Sequence, residues 1–284
     1  MTALETLLAG IIDYAGLYPP AGLDMRTALR NYLSYGRSQH ASALGHFLVE
    51  INRLIELREV AGDSTRHLRL SLLASATTDW NSLAGLLHEG FTIDTIEIKT
   101  DHPSQIARIA RCIPTDLTTY FEVPFDSHAP ETLEAISAAG ARVKLRMGGI
   151  VADAFPPTLT VANMLRALAD RRIPFKATAG LHHPIRSHHP FTYAPDSPSG
   201  TMHGFLNLCC SAALLYFGGE VNQAVVLLDE QDPGAWHITP DTIAWRNVRW
   251  STDQLRSVRE KFLTGFGSCS FAEPMDDLEA LGWR

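Results

Sequence analysis

Cysteine is scarce in this chain of 284 residues: only 4 occur (Cys112, Cys209, Cys210, Cys269), and none stand in a Cys-x-x-Cys spacing. Adjacent Cys209 and Cys210 cannot form a routine disulfide, which argues against a disulfide-stapled scaffold and against a zinc ribbon. A reducing cytoplasm is the expected setting. Long apolar runs are also missing. The nearest, LCCSAALLYFGG, falls well short of the roughly 18 uncharged residues a membrane span needs. The N-terminus, MTALETLLAGIIDYAG, has no basic leader and is interrupted by Asp13, so it reads as mature protein. Basic clusters are absent too. Lys and Arg total 24 against 31 for Asp and Glu, a formal charge of -7, with no stripe mixing aromatic and basic residues. Nucleic acid is therefore not an expected partner, and neither is a membrane.

What the chain does have is ordinary globular composition, 45% hydrophobic and 19% charged, and a regular alternation. Seven short apolar segments are candidate strands: 11–17, 45–51, 68–74, 92–99, 118–124, 141–147 and 174–180. Helix-like stretches lie between them, among them DMRTALRNYLSYG, DWNSLAGLLHEG, HPSQIARIARCI, APETLEAISAAG and TVANMLRALADRR. Several open on a capping Asp, Ser or Thr, or carry Pro in the first turn. Seven such units by residue 180 exceed the usual open doubly wound sheet and point to a closed (β/α)₈ TIM barrel. LTGFGSCSF (263–271) supplies the eighth strand. Residues 1–284 then form a single barrel domain with an insertion of about 220–262 between helix 7 and strand 8. The aromatic segment AWRNVRW in that insertion reads as a satellite core or as a dimer surface, which leaves a homo-oligomer open. The segment 182–204, rich in Pro, Ser and His, is expected to act as a lid over the mouth.

Barrel interiors are normally apolar layers, so charges on the strands need a reason. Glu97 and Lys99 share one face of the fourth strand, and Lys144 and Arg146 share one face of the sixth. Glu50 ends the second strand, Glu122 sits late on the fifth, Asp13 is on the first and Lys176 on the seventh. Charges late on so many strands would converge on one mouth. Two lysines crowded there would depress each other's proton affinity and free an amine for Schiff-base chemistry, with Glu97, Glu122 or Asp94 shuttling protons. The alternative is that Lys and Arg simply bind an anionic substrate.

The motifs VKLRMGG, FKATAGL and GFGSCSF resemble, in order and character, the last three strands of the deoxyribose-phosphate aldolases. That resemblance implies a class I aldolase on a (β/α)₈ barrel. It puts the Schiff-base lysine at Lys144 (with Gly148), a second lysine at Lys176 (with Ala179 and Gly180), and a substrate phosphate near Phe266, Gly267, Ser268 and Ser270. It also implies an acidic group at Asp94, for which Glu97 competes. The chain departs from the pattern at Arg146, where the family has a small residue, and in LHHPIR after the seventh strand. The motif set as a whole, including IDYAGLYPPA and GFGSCSFAEPMDDL, also resembles a bacterial barrel family, a likeness that implies the fold and no activity.

The function expected is a lyase of aldolase type acting on a small oxygenated or anionic carbonyl compound, using Lys144, Lys176, Glu97, Asp94 and Glu122. Arg146, Lys99, Glu50, His182, His183, Arg186, Gly180, Gly267 and Ser268 would contact substrate. No metal and no cofactor is expected. A metal-dependent hydrolase using His182, His183 and His203 is the second reading, although no strand carries His-x-His. A barrel that binds a small molecule without turning it over is the third. Cys269 is read as a small packed residue beside the ligand loop.

Overall fold

The computed structural model describes residues 1–80, 91–100, 102–125 and 130–284. The candidate helix DWNSLAGLLHEG falls almost wholly outside these residues. Seven parallel strands come in chain order: β1 (Ile12–Tyr14), β2 (Leu44–Glu50), β3 (Arg69–Ser75), β4 (Thr92–Lys99), β5 (Thr118–Val123), β6 (Arg142–Arg146) and β7 (Phe175–Thr178). After them come the hairpin β8 (Ser187–Pro190) with β9 (Ser199–Met202), a three-stranded antiparallel sheet and finally β13. That sheet is β10 (Trp236–Ile238), β11 (Thr242–Trp245) and β12 (Val248–Ser251); β13 spans Leu263–Ser268. Strand β13 closes the barrel between β7 and β1, giving the expected (β/α)₈ topology.

Alternation along each strand builds two different faces. Ile96, Ile98, Phe121, Val123, Val143, Leu145, Phe175 and Ala177 are buried in the apolar layer under the helices. The intervening positions carry the charges, and they line the inside of the barrel. Register aligns them: Glu122 pairs with Lys144, and Lys144 with Lys176.

Strand β7 is shorter than its sequence pattern because Ala179 and Gly180 leave the extended region, with φ of 62 and 67. A Cβ on Gly180 would lie 2.7 Å from the Phe155 ring and 2.8 Å from Gly148 Cα. Gly180→Ala combines that backbone strain with a clash against main chain, so a loss of about 3 kcal/mol is expected. Urea unfolding checks it; a loss below about 1 kcal/mol would show that the turn yields.

The region 220–262 folds as helix Val221–Leu228, the antiparallel sheet, and helix Thr252–Lys261. That last helix opens on a capping box of Ser251 and Gln254 and packs beside β13 and helix Ala3–Leu8. Trp245 and Trp250 are buried within the core.

Candidate active site

Inside the barrel the inward charges join into one chain of alternating sign. At the mouth, Arg146 Nε lies 3.0 Å from Glu122 Oε1. Lys144 Nζ follows, 3.0 Å from Glu122 Oε2 and 2.7 Å from Glu97 Oε2. Glu97 Oε1 accepts from Lys176 Nζ at 2.5 Å and from Ser71 Oγ at 2.7 Å. Lys176 also donates to Asp13 Oδ2. Farther down, Asp13 Oδ1 meets the backbone N–H of His46 at 2.6 Å and its Nδ1 at 2.8 Å. His46 Nε2 and Arg69 both reach Asp94 Oδ2, at 3.2 and 2.9 Å.

Such a chain is stable only if each desolvated charge has a partner. Burial by itself would raise Glu97, but Lys144 and Lys176 outweigh it and bring the carboxyl down to about 2. Burial likewise opposes ionisation of Asp13, and Lys176 and His46 hold it well below the usual carboxylate range. Lys176, desolvated yet set against Asp13 and Glu97, is raised above the ordinary lysine value. The pairing of lysines therefore works opposite to the sequence expectation. Lys176 keeps its proton because it is flanked by two carboxylates, Asp13 and Glu97, the second of which stands between it and Lys144. The two lysines differ in one further way. Lys176 donates aligned hydrogen bonds. Glu97 Oε2, by contrast, is buried without an aligned donor although Lys144 Nζ lies close by.

Above Lys144 opens a cavity of about 320 Å³ at the C-terminal ends of the strands. Lys144, Arg146, Thr178, His182, Gly267 and Cys269 line it, and Phe191 and Met202 of the hairpin region close one side. Of the residues read from the sequence, Lys144, Arg146, His182, Gly180 and Gly267 meet in this cavity, with Glu122 and Glu97 touching Lys144.

No family model matches this chain, and no curated protein matches it. Among solved structures it is similar to FabK from Thermotoga maritima, at 14% identity over 98% of this chain and 81% of that one, with a TM-score of 0.42. A point mutant of the same protein gives 13% identity, coverage of 99% and 96%, and a TM-score of 0.45. Likenesses this distant assign no chemistry.

Several sequence assignments are displaced. Asp94 lies at the start of β4, paired with Arg69 and His46 at the other end of the charge chain, too far down to serve the mouth. Lys176 pairs with Lys144 across the sheet but is buried and absent from the mouth lining. Glu50 borders a separate cavity at the ends of β2 and β3. Lys99 is exposed and lies outside the mouth lining. The Oγ of Ser268 accepts from Ser270 N–H and is buried away from the cavity. The segment expected to act as a lid forms a hairpin whose Phe191 and Met202 line the mouth cavity, whereas Arg186 is not part of that lining. It is tied to His203 Nδ1 at 3.1 Å and to Asp229 at 3.5 Å.

The histidines disperse among different partners. His183 Nδ1 pairs with Asp277 at 2.6 Å and stacks on His189, with ring centroids 3.4 Å apart. His203 Nε2 faces the Pro156 carbonyl at 2.8 Å. Among the described residues, no three side chains of His, Cys, Asp or Glu are grouped as metal ligands.

What sequence reasoning missed is the neighbourhood of His182. Its Nδ1 lies 2.7 Å from Glu273 Oε2, and its Nε2 lies 3.9 Å from Cys269 Sγ. The available signal was positional. Thr178 and Gly267 pair in the sheet, so residues just past each strand end come together.

Proposed function

We propose that this barrel is a Schiff-base lyase for a small, oxygenated, anionic carbonyl compound, with Lys144 as the attacking amine. The observation that carries the reading is the position of Lys144. It lies at the floor of the mouth cavity, one carboxylate in from Arg146, with Glu122 at 3.0 Å and Glu97 at 2.7 Å. The aldolase-like motif around Lys144 and Gly148 supports the same assignment.

An amine must shed its proton before it can attack, and Glu122, 3.0 Å away, is the more exposed of the two carboxylates that contact Lys144. In the resting protein burial would raise Glu122, but Lys144 and Arg146 together lower it. An anionic substrate changes that balance. When it pairs with the half-exposed Arg146, Glu122 loses one of its two cations and its proton affinity rises. Glu122 then takes a proton from Lys144, and the free amine adds to the carbonyl carbon. The carbonyl oxygen leaves as water, so a C–N bond replaces C–O. In the resulting iminium, the hydroxyl on the carbon two removed from the iminium carbon passes its proton to Glu122 and becomes the carbonyl of the first product, as the bond from that carbon to its neighbour breaks and its electron pair forms the enamine. A proton restores the carbon, and hydrolysis releases the second product. Arg146 thus contributes both binding and activation. A Schiff-base route calls on no cofactor.

The test is reductive trapping. Lysines in this chain are Lys99, Lys144, Lys176 and Lys261, so a reduced adduct can be placed unambiguously. Borohydride with a panel of small hydroxyaldehydes and keto acids is expected to add mass to the peptide holding Lys144. Labelling confined to Lys99 or Lys261, or none at all, removes the proposal.

A further inference from the structure

The mouth cavity holds a second chemically active group that the lyase mechanism does not use. Cys269, 7% exposed, lines the same cavity as Lys144, just beyond β13. Its Sγ lies 3.9 Å from His182 Nε2. His182 in turn is held through Nδ1 by Glu273 at 2.7 Å. Tyr193 completes the cluster, its hydroxyl 3.8 Å from the sulfur and donating to Glu273 at 3.0 Å. Nucleophile, base and orienting carboxylate therefore follow one another in the order that thiol catalysis uses, on segments fixed by two adjacent strands and a helix.

We propose that Cys269, activated by His182 and oriented through Glu273, is a thiol nucleophile that adds reversibly to the aldehyde carbonyl of the compound in the mouth. The aldehyde character of that compound rests on the lyase reading; the thiol's activation does not. In the step, the proton on Sγ passes to His182 Nε2 and an Sγ–C bond forms. The π pair of C=O moves to oxygen, which receives the proton from His182. The product is a thiohemiacetal, and reversal returns both partners without any oxidant.

The environment favours this assignment. Burial would push His182 down, but hydrogen bonds to Cys269 and Glu273 override it and raise the imidazole to about 9. The titratable groups facing the thiol are His182, Tyr193, Glu273 and Tyr14, with Lys144 and Arg146 across the cavity. Glu273 is a positioning residue here, since it reaches the thiol only through His182 and Tyr193.

Exposed Cys112 provides an internal reference, being free and open to solvent. Iodoacetamide at about pH 6.5, followed by peptide mass mapping, should alkylate Cys269 at least about tenfold faster than Cys112 in the folded wild type, despite its lower exposure. His182→Ala and His182→Gln should both bring that ratio to one or below, and Glu273→Gln should shift the pH profile of Cys269 alone. Equal rates in the wild type, or a ratio indifferent to both His182 variants, would overturn the proposal. The aldehyde step is read with propanal in a Lys144→Arg background, where no imine can form at position 144. Slowed alkylation of Cys269 supports it. Protection that disappears with Lys144 would mean that the lysine alone holds the aldehyde, which sinks the thiol step and leaves the lyase reading intact.

Discussion

Lys144→Arg is expected to abolish borohydride trapping and to lower kcat/KM by at least about 10³ on any hydroxycarbonyl compound the wild type cleaves. That factor corresponds to about 4 kcal/mol of lost transition-state stabilisation. The substitution is chosen because the guanidinium remains a cation. Glu97 and Glu122 both contact Lys144 and would otherwise be left short of positive charge inside the barrel. Arginine keeps that pairing yet cannot deprotonate at working pH, so it removes the nucleophile while leaving the electrostatics in place. Lys144→Met removes both and should unfold at clearly lower denaturant. Comparing the two separates chemistry from stability. A Lys144→Arg protein that still traps aldehyde at wild-type yield would move the imine to another lysine. One that turns substrate over at the wild-type rate without trapping would replace Schiff-base chemistry by anion binding.

Arg146 carries a related but smaller expectation within the same experiment. If it both binds substrate and releases Glu122, then Arg146→Met should reduce kcat as well as raise KM, whereas simple anion binding would affect KM alone.

The fold was readable because both faces of the strands have strong reasons for their composition. The outward positions of β4 to β7 are mostly aliphatic or aromatic, from Ile96 and Ile98 through Phe175 and Ala177, and this fixed the strand positions to within a residue or two. The inward charges stood out against that background. Their layering could not be read in the same way. Asp94 and Glu97 are an odd number of residues apart and should occupy opposite faces, yet both join the ion chain. The reason is an irregularity between β3 and β4. Leu70 pairs with Ile93 and Ser71 with Thr95, so Asp94 is an extra residue in the ladder. Simple alternation has no means of signalling such a residue. The Cys269 cluster was hidden for a different reason. Its members follow three separate elements, and only the β7 to β13 register brings His182 to Cys269. Neither residue is unusual in its own segment, and Glu273 looks like any acidic residue in the first turn of a helix.

Lys176→Met should be the most destabilising single change in the barrel interior, at about 3–5 kcal/mol at pH 7. Lys176 is the one contact that satisfies Asp13 Oδ2 and Glu97 Oε1 together, and all three groups are removed from water. Deleting it leaves Asp13 with His46, and Glu97 with Lys144 and Ser71, each carrying more negative charge than its surroundings balance. The pH dependence distinguishes this from a packing defect. Glu97 is depressed from 4.5 to about 2, and Asp13 is depressed as well. Groups of this kind contribute stability that is present above their unfolded values and lost as pH falls through the folded ones. Wild type should therefore lose stability between about pH 4.5 and 2. Lys176 itself is raised above 10.5, so its proton is bound in both states throughout that window and adds no slope. In the variant the two carboxyls are held down less, and protonation relieves the uncompensated charge. The difference between wild type and Lys176→Met should accordingly shrink as pH falls from 7 to 3. Adding Asp13→Asn should recover about half of the loss at pH 7 by removing one unpaired carboxylate. Urea titrations followed by circular dichroism at pH 7, 4 and 3 give all of these quantities. A deficit constant across that range would assign the cost to lost packing of the lysine stem, and one under about 1 kcal/mol would mean that water reaches Asp13 and Glu97 once the lysine is gone.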